Sequence, residues 1–538
     1  MAELDRAVRR IEAFCDRHVE RFDTPGLALA LTDRDATIAV LHRGFANLDA
    51  QEPVGERHRF QIGSISKGFT AMALLQEHEA GRLALDAPVT EYLPWFAVRA
   101  PLGEITVHHL LSHTAGIVCG MDATGEATHE VWLLRETPAG WPPGERFRYS
   151  NVGYKALGLV LEAVTGRRWW EVVRERVMEP IGMGEVDVII TDAVRERLAV
   201  GYASPFGDRP WLPRHGFAPS PWFESATADG TICATADELA RYARLLLHGG
   251  RGVLSPEGFE RMTTPFAEDP EAPGEVYGYG LKWVRGERDL LGHSGGMIGF
   301  TAYLLVDPRA GVGAVALMNS GFGKRLELVR FALACLAAAR EGEPLPPVPE
   351  PEPRERVPGA EALAGRFADE RGELELRAEG ERLILIEDGD PAVLVPLGPD
   401  RFAVDDPARE RSALQVVRES GRTVELRWGP RWLRAPGRPE GEGEEPSPEH
   451  RALTGRYRSW NPWAPGFEVF ARRDGLWLEM LGSSADVADV QPLVPLPDGS
   501  FAVGPPPTPS RISFDTEIGG RPTRAWLEGA PFYRSDVP

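Results

Sequence analysis

The sequence predicts an α+β domain followed by two small antiparallel β-barrels. Three observations carry this. An apolar hairpin near the N-terminus is matched by strand-like runs far downstream, with helical segments between them. Two later stretches open alike, "LAGRF" at Leu363 and "LTGRY" at Leu453, and each continues in alternating strands. Pro/Glu-rich linkers set these two stretches apart. The length of 538 residues agrees with about three domains, and 43% hydrophobic with 26% charged residues is a globular composition. The formal net charge of −20 argues against nucleic acid or an anionic membrane as main partner.

The elements follow in order. Leu4, Val8, Ile11 and Cys15 fall at helical spacing in "MAELDRAVRRIEAFCDRHVERF", which predicts an amphipathic helix. No apolar run there is long enough for a signal peptide or a membrane span, so a cytoplasmic protein is expected. "PGLALALTDRDATIAVLHRGFAN" is a hairpin around a polar "TDRD" turn. A helix runs from Ser66 to about Glu79 and is ended by "AGRL". Helical segments with Gly/Pro-rich connections continue to about Gly249. "GYGLKWVRG", "RDLLGHSGG" and "GFTAYLLVDPRAGVGAVALMNS" are strands, the last a pair joined at "DPRAG", and a helix from about Lys324 to Arg340 closes the unit. The two ends of this unit are expected to share one antiparallel sheet. The predicted domains are 1–345, 346–440 and 441–538, the last two of roughly barrel size. The second linker, "APGRPEGEGEEPSPEH", separates the modules. The four cysteines have no metal-type spacing and are expected as buried thiols.

The chain holds 60 Lys plus Arg, yet only four are lysines: Lys67, Lys155, Lys282 and Lys324. Lys67 stands three residues after Ser64, in "GSISKGF". A serine hydroxyl needs a base before it can attack a carbonyl. A buried lysine can be that base, whereas arginine stays protonated. Residues i and i+3 share a helix face, and the helix N-terminus offers backbone N–H groups to an oxyanion. Downstream stand Tyr149-Ser150-Asn151 in "RFRYSNVGYKALG" and His293-Ser294-Gly295 in "LGHSGGMIGF". Singly, Tyr149 fits a core aromatic, Asn151 a helix cap and His293 a satisfied surface histidine. Their joint order decides.

In that order and at these separations, Ser-x-x-Lys, Tyr-x-Asn and His-x-Gly resemble the serine β-lactamase and penicillin-binding-protein superfamily. The chain is most similar to its class C β-lactamase-like branch of D-Ala-D-Ala carboxypeptidases, D-aminopeptidases and family VIII esterases. "LLSHTAGI", "GTICATADELARYARLLLHGG" and "VDPRAGVGAVALMNS" also resemble recurrent stretches of that branch. The resemblance spans roughly Glu3 to Arg340 and implies a β-lactamase/transpeptidase-like catalytic domain. It implies that Ser64 is the acylated nucleophile and that Lys67 and Tyr149 share the base and acid work. It implies that Asn151 binds Lys67 and substrate, and that His293 lines the site where many members carry lysine. The oxyanion hole would be the N–H groups of Ser64 and Gly296, with Gly295 admitting close approach of the strand. The paired modules resemble, less specifically, the lipocalin-like barrels of D-aminopeptidases.

Two other motifs fare worse. "GHSGG" fits a nucleophile elbow, but a strand follows it instead of a helix, and the only later histidine, His450, lies in a linker. "HHLLSH" places His109 and His113 four apart on a helix, a possible metal face, but without the Glu of a zinc motif. No metal and no cofactor are expected. The expected activity is a serine hydrolase working on small peptide, amide or ester substrates, of D-aminopeptidase, D-peptidase or esterase type. A β-lactamase or acyltransferase on the same fold, and a non-catalytic penicillin-binding-type sensor or scaffold, are the alternatives. The sequence is compatible with an oligomer.

Overall fold

The computed structural model describes residues 2–122, 124–321, 323, 325–350, 352–438, 446–481 and 490–535. Lys324 and the domain boundary expected at 440/441 lie outside the described residues. The chain forms two compact units. The first comprises Met1–Ala203 and Pro219–Pro351, the second Ser204–Ala218 and Glu352–Pro538. The excursion Ser204–Ala218, which the sequence places inside the first domain, therefore groups with the barrels.

Among the described residues, the first unit is built on a nine-stranded antiparallel sheet. Its order is Glu52–Pro53, Thr37–Asn47, Gly26–Asp33, Val312–Met318, Phe300–Asp307, Leu290–Met297, Lys282–Val284, Glu275–Tyr277, Ala267–Glu268. The N-terminal hairpin thus pairs with the downstream strands, Leu29 opposite Ala316. Alternation along Gly26–Asp33 sends Leu27, Leu29 and Leu31 to one face and Ala28 and Ala30 to the other. The leucine face is covered by the helices Ala2–Arg21 and Arg325–Glu341, with Ile11 and Cys15 at the contact. The alanine face receives the helix Ala236–Leu247 and the larger core that surrounds Ser66–Glu79. Small residues on that face let the helix approach closely.

The second unit holds two closed eight-stranded antiparallel barrels, Gly365–Asp369 through Arg431–Arg434 and Gly455–Arg458 through Ala530–Ser535. The shared Leu-x-Gly-Arg-aromatic motif opens the first strand of each, and its ring, Phe367 or Tyr457, fills the barrel core. Closure removes the sheet edges that such short strands would expose. Across the barrel–barrel contact, Arg472 donates to the Gly429 carbonyl at 2.9 Å and Ala413 N–H donates to Glu479 at 3.3 Å. The excursion is clamped to both barrels. Buried Glu410 accepts from Arg209 and Arg214 and meets His215, and Asp208 accepts from Arg456.

None of the four cysteines is in a disulfide. Cys15, Cys233 and Cys335 are buried as expected, but Cys119 is only half-buried, because its loop borders the site described below. Among the described residues no helix is long and apolar enough to cross a membrane.

Candidate active site

Ser64 sits in a 3-10 turn, Gly63–Ile65, that runs directly into the helix Ser66–Glu79. The helix is buried nearly all round, with polar Ser66, Lys67, Thr70 and Glu77 inside along with its apolar residues. Lys67 lies in its first turn with 0% exposure, and the i, i+3 relation brings its Nζ to 2.9 Å from Ser64 Oγ. The amine also reaches Asn151 Oδ1 at 2.8 Å and the Asp229 carbonyl at 2.9 Å. Both of these oxygens only accept. A neutral amine must then spend its two N–H bonds on them, which leaves its lone pair facing the Ser64 hydroxyl. Burial lowers the Lys67 pKa to about 8. The Asp229, Cys119 and Asp122 charges oppose this, and Lys155 assists it.

Asn151 opens the helix Asn151–Thr165, but the cap is its neighbour. Ser150 Oγ accepts from Gly153 N–H at 3.0 Å and donates to the Val118 carbonyl at 2.7 Å. Asn151 is thereby left to Lys67. The Tyr149 ring stands 4.9 Å from Lys67 Nζ. Its buried Oη makes no full hydrogen bond, and the Ser64 hydroxyl is its polar neighbour. Burial drives this phenol well above its ordinary pKa, so it holds its proton.

His113 supports this segment. It lies beyond the short helix Val107–Leu111, in the left-handed region at φ 58°, and so does not share a helix face with His109. Its ring packs on Tyr149 at 4.2 Å, Tyr277 at 4.6 Å and Tyr154 at 5.1 Å. Its Nδ1 accepts Ser150 N–H at 3.1 Å, which places the proton on Nε2. His109 instead caps its own helix at Thr106. Among the described residues no group of three His, Cys, Asp or Glu could hold a metal ion.

The strand Leu290–Met297 forms the opposite wall. A Cβ on Gly295 would stand 1.8 Å from the Ile62 carbonyl oxygen and 3.3 Å from Ser64 N. A Cβ on Gly63 would stand 2.5 Å from Gly296 N. Two glycines therefore allow the backbone of Gly296 to lie against the Ser64 turn. Ser294 of "GHSGG" lies mid-strand opposite Tyr303, with no helix after it. His293 is 3% exposed, not the surface histidine that its residue type alone suggests. Its Nε2 is 3.0 Å from Tyr277 Oη and its Nδ1 meets the Ser294 carbonyl. Burial, then Lys282, pushes its pKa well below 6.5, so it is neutral.

The structure thus brings Ser64, Lys67, Tyr149, Asn151, Gly295 and Gly296 together, with His293 on the same strand, its ring 6.2 Å from that of Tyr149 and bonded to Tyr277. Sequence reasoning missed Asp229, Asp122, Lys155 and Tyr277. The one available signal was the scarcity of lysine, which marked Lys155 as much as Lys67.

The Beta-lactamase family model matches residues 11–338. Penicillin-binding protein 4 of Amycolatopsis lactamdurans is 31% identical over 389 residues, 66% of this chain and 97% of that protein. The human Putative beta-lactamase-like 1 is 29% identical over 60% of this chain and 68% of its own length. The solved octameric penicillin-binding protein homologue from Pyrococcus abyssi is 26% identical, covers 79% of this chain and 99% of its own, and superposes with a TM-score of 0.59. The family model matches more than half of the chain, and the Amycolatopsis protein is matched along nearly its whole length. The chain therefore belongs to the Beta-lactamase family, serine hydrolases of the β-lactamase and transpeptidase fold.

Proposed function

We propose that the protein hydrolyses amide or ester bonds of small substrates through an acyl-enzyme on Ser64, with D-aminopeptidase, D-peptidase or esterase specificity. The observation that carries this is the Lys67 contact set: two pure acceptors and one serine hydroxyl. Neutral Lys67 takes the Ser64 proton as Oγ attacks the carbonyl. The N–H groups of Ser64 and Gly296 receive the oxyanion. Tyr149, still protonated, donates to the leaving amine or alkoxide. Water then cleaves the ester by the same steps in reverse. Asn151 orients Lys67 and the substrate amide.

The neutral, buried His293 supports an esterase or aminopeptidase over a β-lactamase. It offers a β-lactam carboxylate no fixed charge where a lysine would. The name of the Amycolatopsis relative supports an acylating serine but not a particular acyl group. The test is a panel of p-nitrophenyl esters, D-amino-acid p-nitroanilides and nitrocefin, each with Ser64→Ala as control. Turnover of an ester or anilide that vanishes in Ser64→Ala is the expected result. A panel with no turnover, together with a fluorophosphonate that fails to label Ser64, would establish the non-catalytic alternative instead.

A further inference from the structure

A second buried lysine lies beside the first, and the chemistry above leaves it unused. Lys155 is in the second turn of the helix Asn151–Thr165 and is 2% exposed. Its ammonium contacts Asp122 Oδ1 and lies 3.9 Å from Glu130 Oε2. Asp122 takes a left-handed φ of 50° to reach it. Asp229 joins the two lysines. Its carbonyl holds Lys67 Nζ at 2.9 Å, and its buried Oδ1 has no hydrogen-bond partner. Burial disfavours both ammonium groups, and on each the carboxylate that opposes it most is Asp229. Lys155 thus pairs with Asp122 and Glu130, Lys67 is held by the Asp229 carbonyl, and Asp122 and Asp229 act on both lysines in a largely buried region where charges are weakly screened.

We propose that Lys155, Asp122 and Asp229, closed by Glu130, form a buried charge cluster that sets the protonation of Lys67, with Lys155 as the positioning residue. Asp229 fixes Lys67 through its carbonyl and draws a proton toward it through its carboxylate. Lys155 offsets the carboxylates, so that Lys67 can release that proton and act as base. The inference rests on Lys67 being the base. The other titratable groups facing Lys67 are Tyr149, Tyr154, Cys119, His113 and His293. His113 and His293 are neutral and Tyr149 and Tyr154 protonated, since burial holds each away from its charged form. His129 faces Glu130 from outside the cluster.

The test is the pH dependence of kcat/KM for an ester substrate in the full chain. The activity of the wild type rises as Lys67 loses its proton. Asp229→Asn removes a carboxylate and moves this limb to lower pH. Lys155→Met removes a cation and moves it to higher pH, each by about one pH unit. The double variant Lys155→Met/Asp122→Asn returns toward the wild type. Every variant is first labelled at Ser64 with a fluorophosphonate. Should Lys155→Met not fold, Asp229→Asn, which keeps shape and changes only charge, decides alone. A labelled Asp229→Asn enzyme whose limb has not moved overturns the cluster's role and leaves the base intact. A wild type that does not label overturns the reading of Lys67 as base, and this inference with it.

Discussion

At the residue scale the proposed chemistry turns on what lysine can do and arginine cannot. Lys67 is completely buried, and its three contacts leave room for one lone pair aimed at Ser64. Lys67→Arg keeps the charge but has no accessible neutral form. It is expected to lower kcat at least about a thousandfold with the protein still folded, as read by steady-state kinetics beside thermal melting. Near-normal turnover with an unchanged melting temperature would remove Lys67 from the base's place. His293 carries a second expectation. A buried neutral imidazole gives no cationic anchor, so nitrocefin turnover should be slow or absent beside short-chain ester turnover; efficient nitrocefin hydrolysis would contradict this. Much of the site was legible because Ser64, Lys67, Tyr149 and Asn151 lie in short local motifs. Asp229 and Asp122 were not, since a lone carboxylate in a loop carries no period and its partners are set by tertiary packing alone. The burial of His293 was hidden for a related reason: alternation shows which side a residue faces, not what covers that side.

At the scale of elements, the turn Gly63–Ile65 and the strand Leu290–Met297 would act as one backbone device in the proposed chemistry. Both chains must come within hydrogen-bond range of a shared oxygen for Ser64 N–H and Gly296 N–H to serve together. Gly295→Ala tests this. Its Cβ would meet the Ile62 carbonyl at 1.8 Å, and that atom belongs to backbone that cannot rotate away. The strand must retreat from the turn. A displacement of this kind is expected to cost about a hundredfold in kcat, with circular dichroism unchanged. Wild-type rates in Gly295→Ala would show that the strand does not set the geometry. The strands and the hairpin were readable from period-two alternation, and the helix Ser66–Glu79 from its start and stop signals. The end of the short helix Val107–Leu111 was not. "HHLLSH" has the spacing of one helical face, yet His113 lies past the helix end at φ 58°, held by Ser150 and a cage of tyrosines from distant elements.

At the scale of the whole molecule, the repeat of Leu-x-Gly-Arg-aromatic disclosed two like modules, and each closes as a barrel. The membership of Ser204–Ala218 in the barrel unit was not disclosed. Its ties to Glu410, Asp405 and Arg456 are ion pairs between residues far apart in sequence, and such pairs leave no pattern to read. The contact between the barrels carries a pH dependence that can be worked out in sign. Glu479 is 2% exposed. Its Oε1 accepts from Ala413 N–H, while its Oε2 has no partner. Burial raises its pKa to about 7, with the Ser412 and Ala413 hydrogen bonds pulling the other way. In the unfolded chain a glutamate titrates near about 4.3. Between those values the folded state binds the extra proton, so stability falls as pH rises through this window and stays lower above it. The full loss is on the order of 3 kcal/mol. Glu479→Gln keeps an acceptor for Ala413 and cannot ionise. It is expected to flatten the dependence, matching the wild type near pH 5 and exceeding it at pH 8.5 in urea unfolding followed by tryptophan fluorescence. An equal decline in both proteins would mean that Glu479 ionises in the folded state without cost, and that the barrels are held by their other contacts, led by Arg472 on the Gly429 carbonyl.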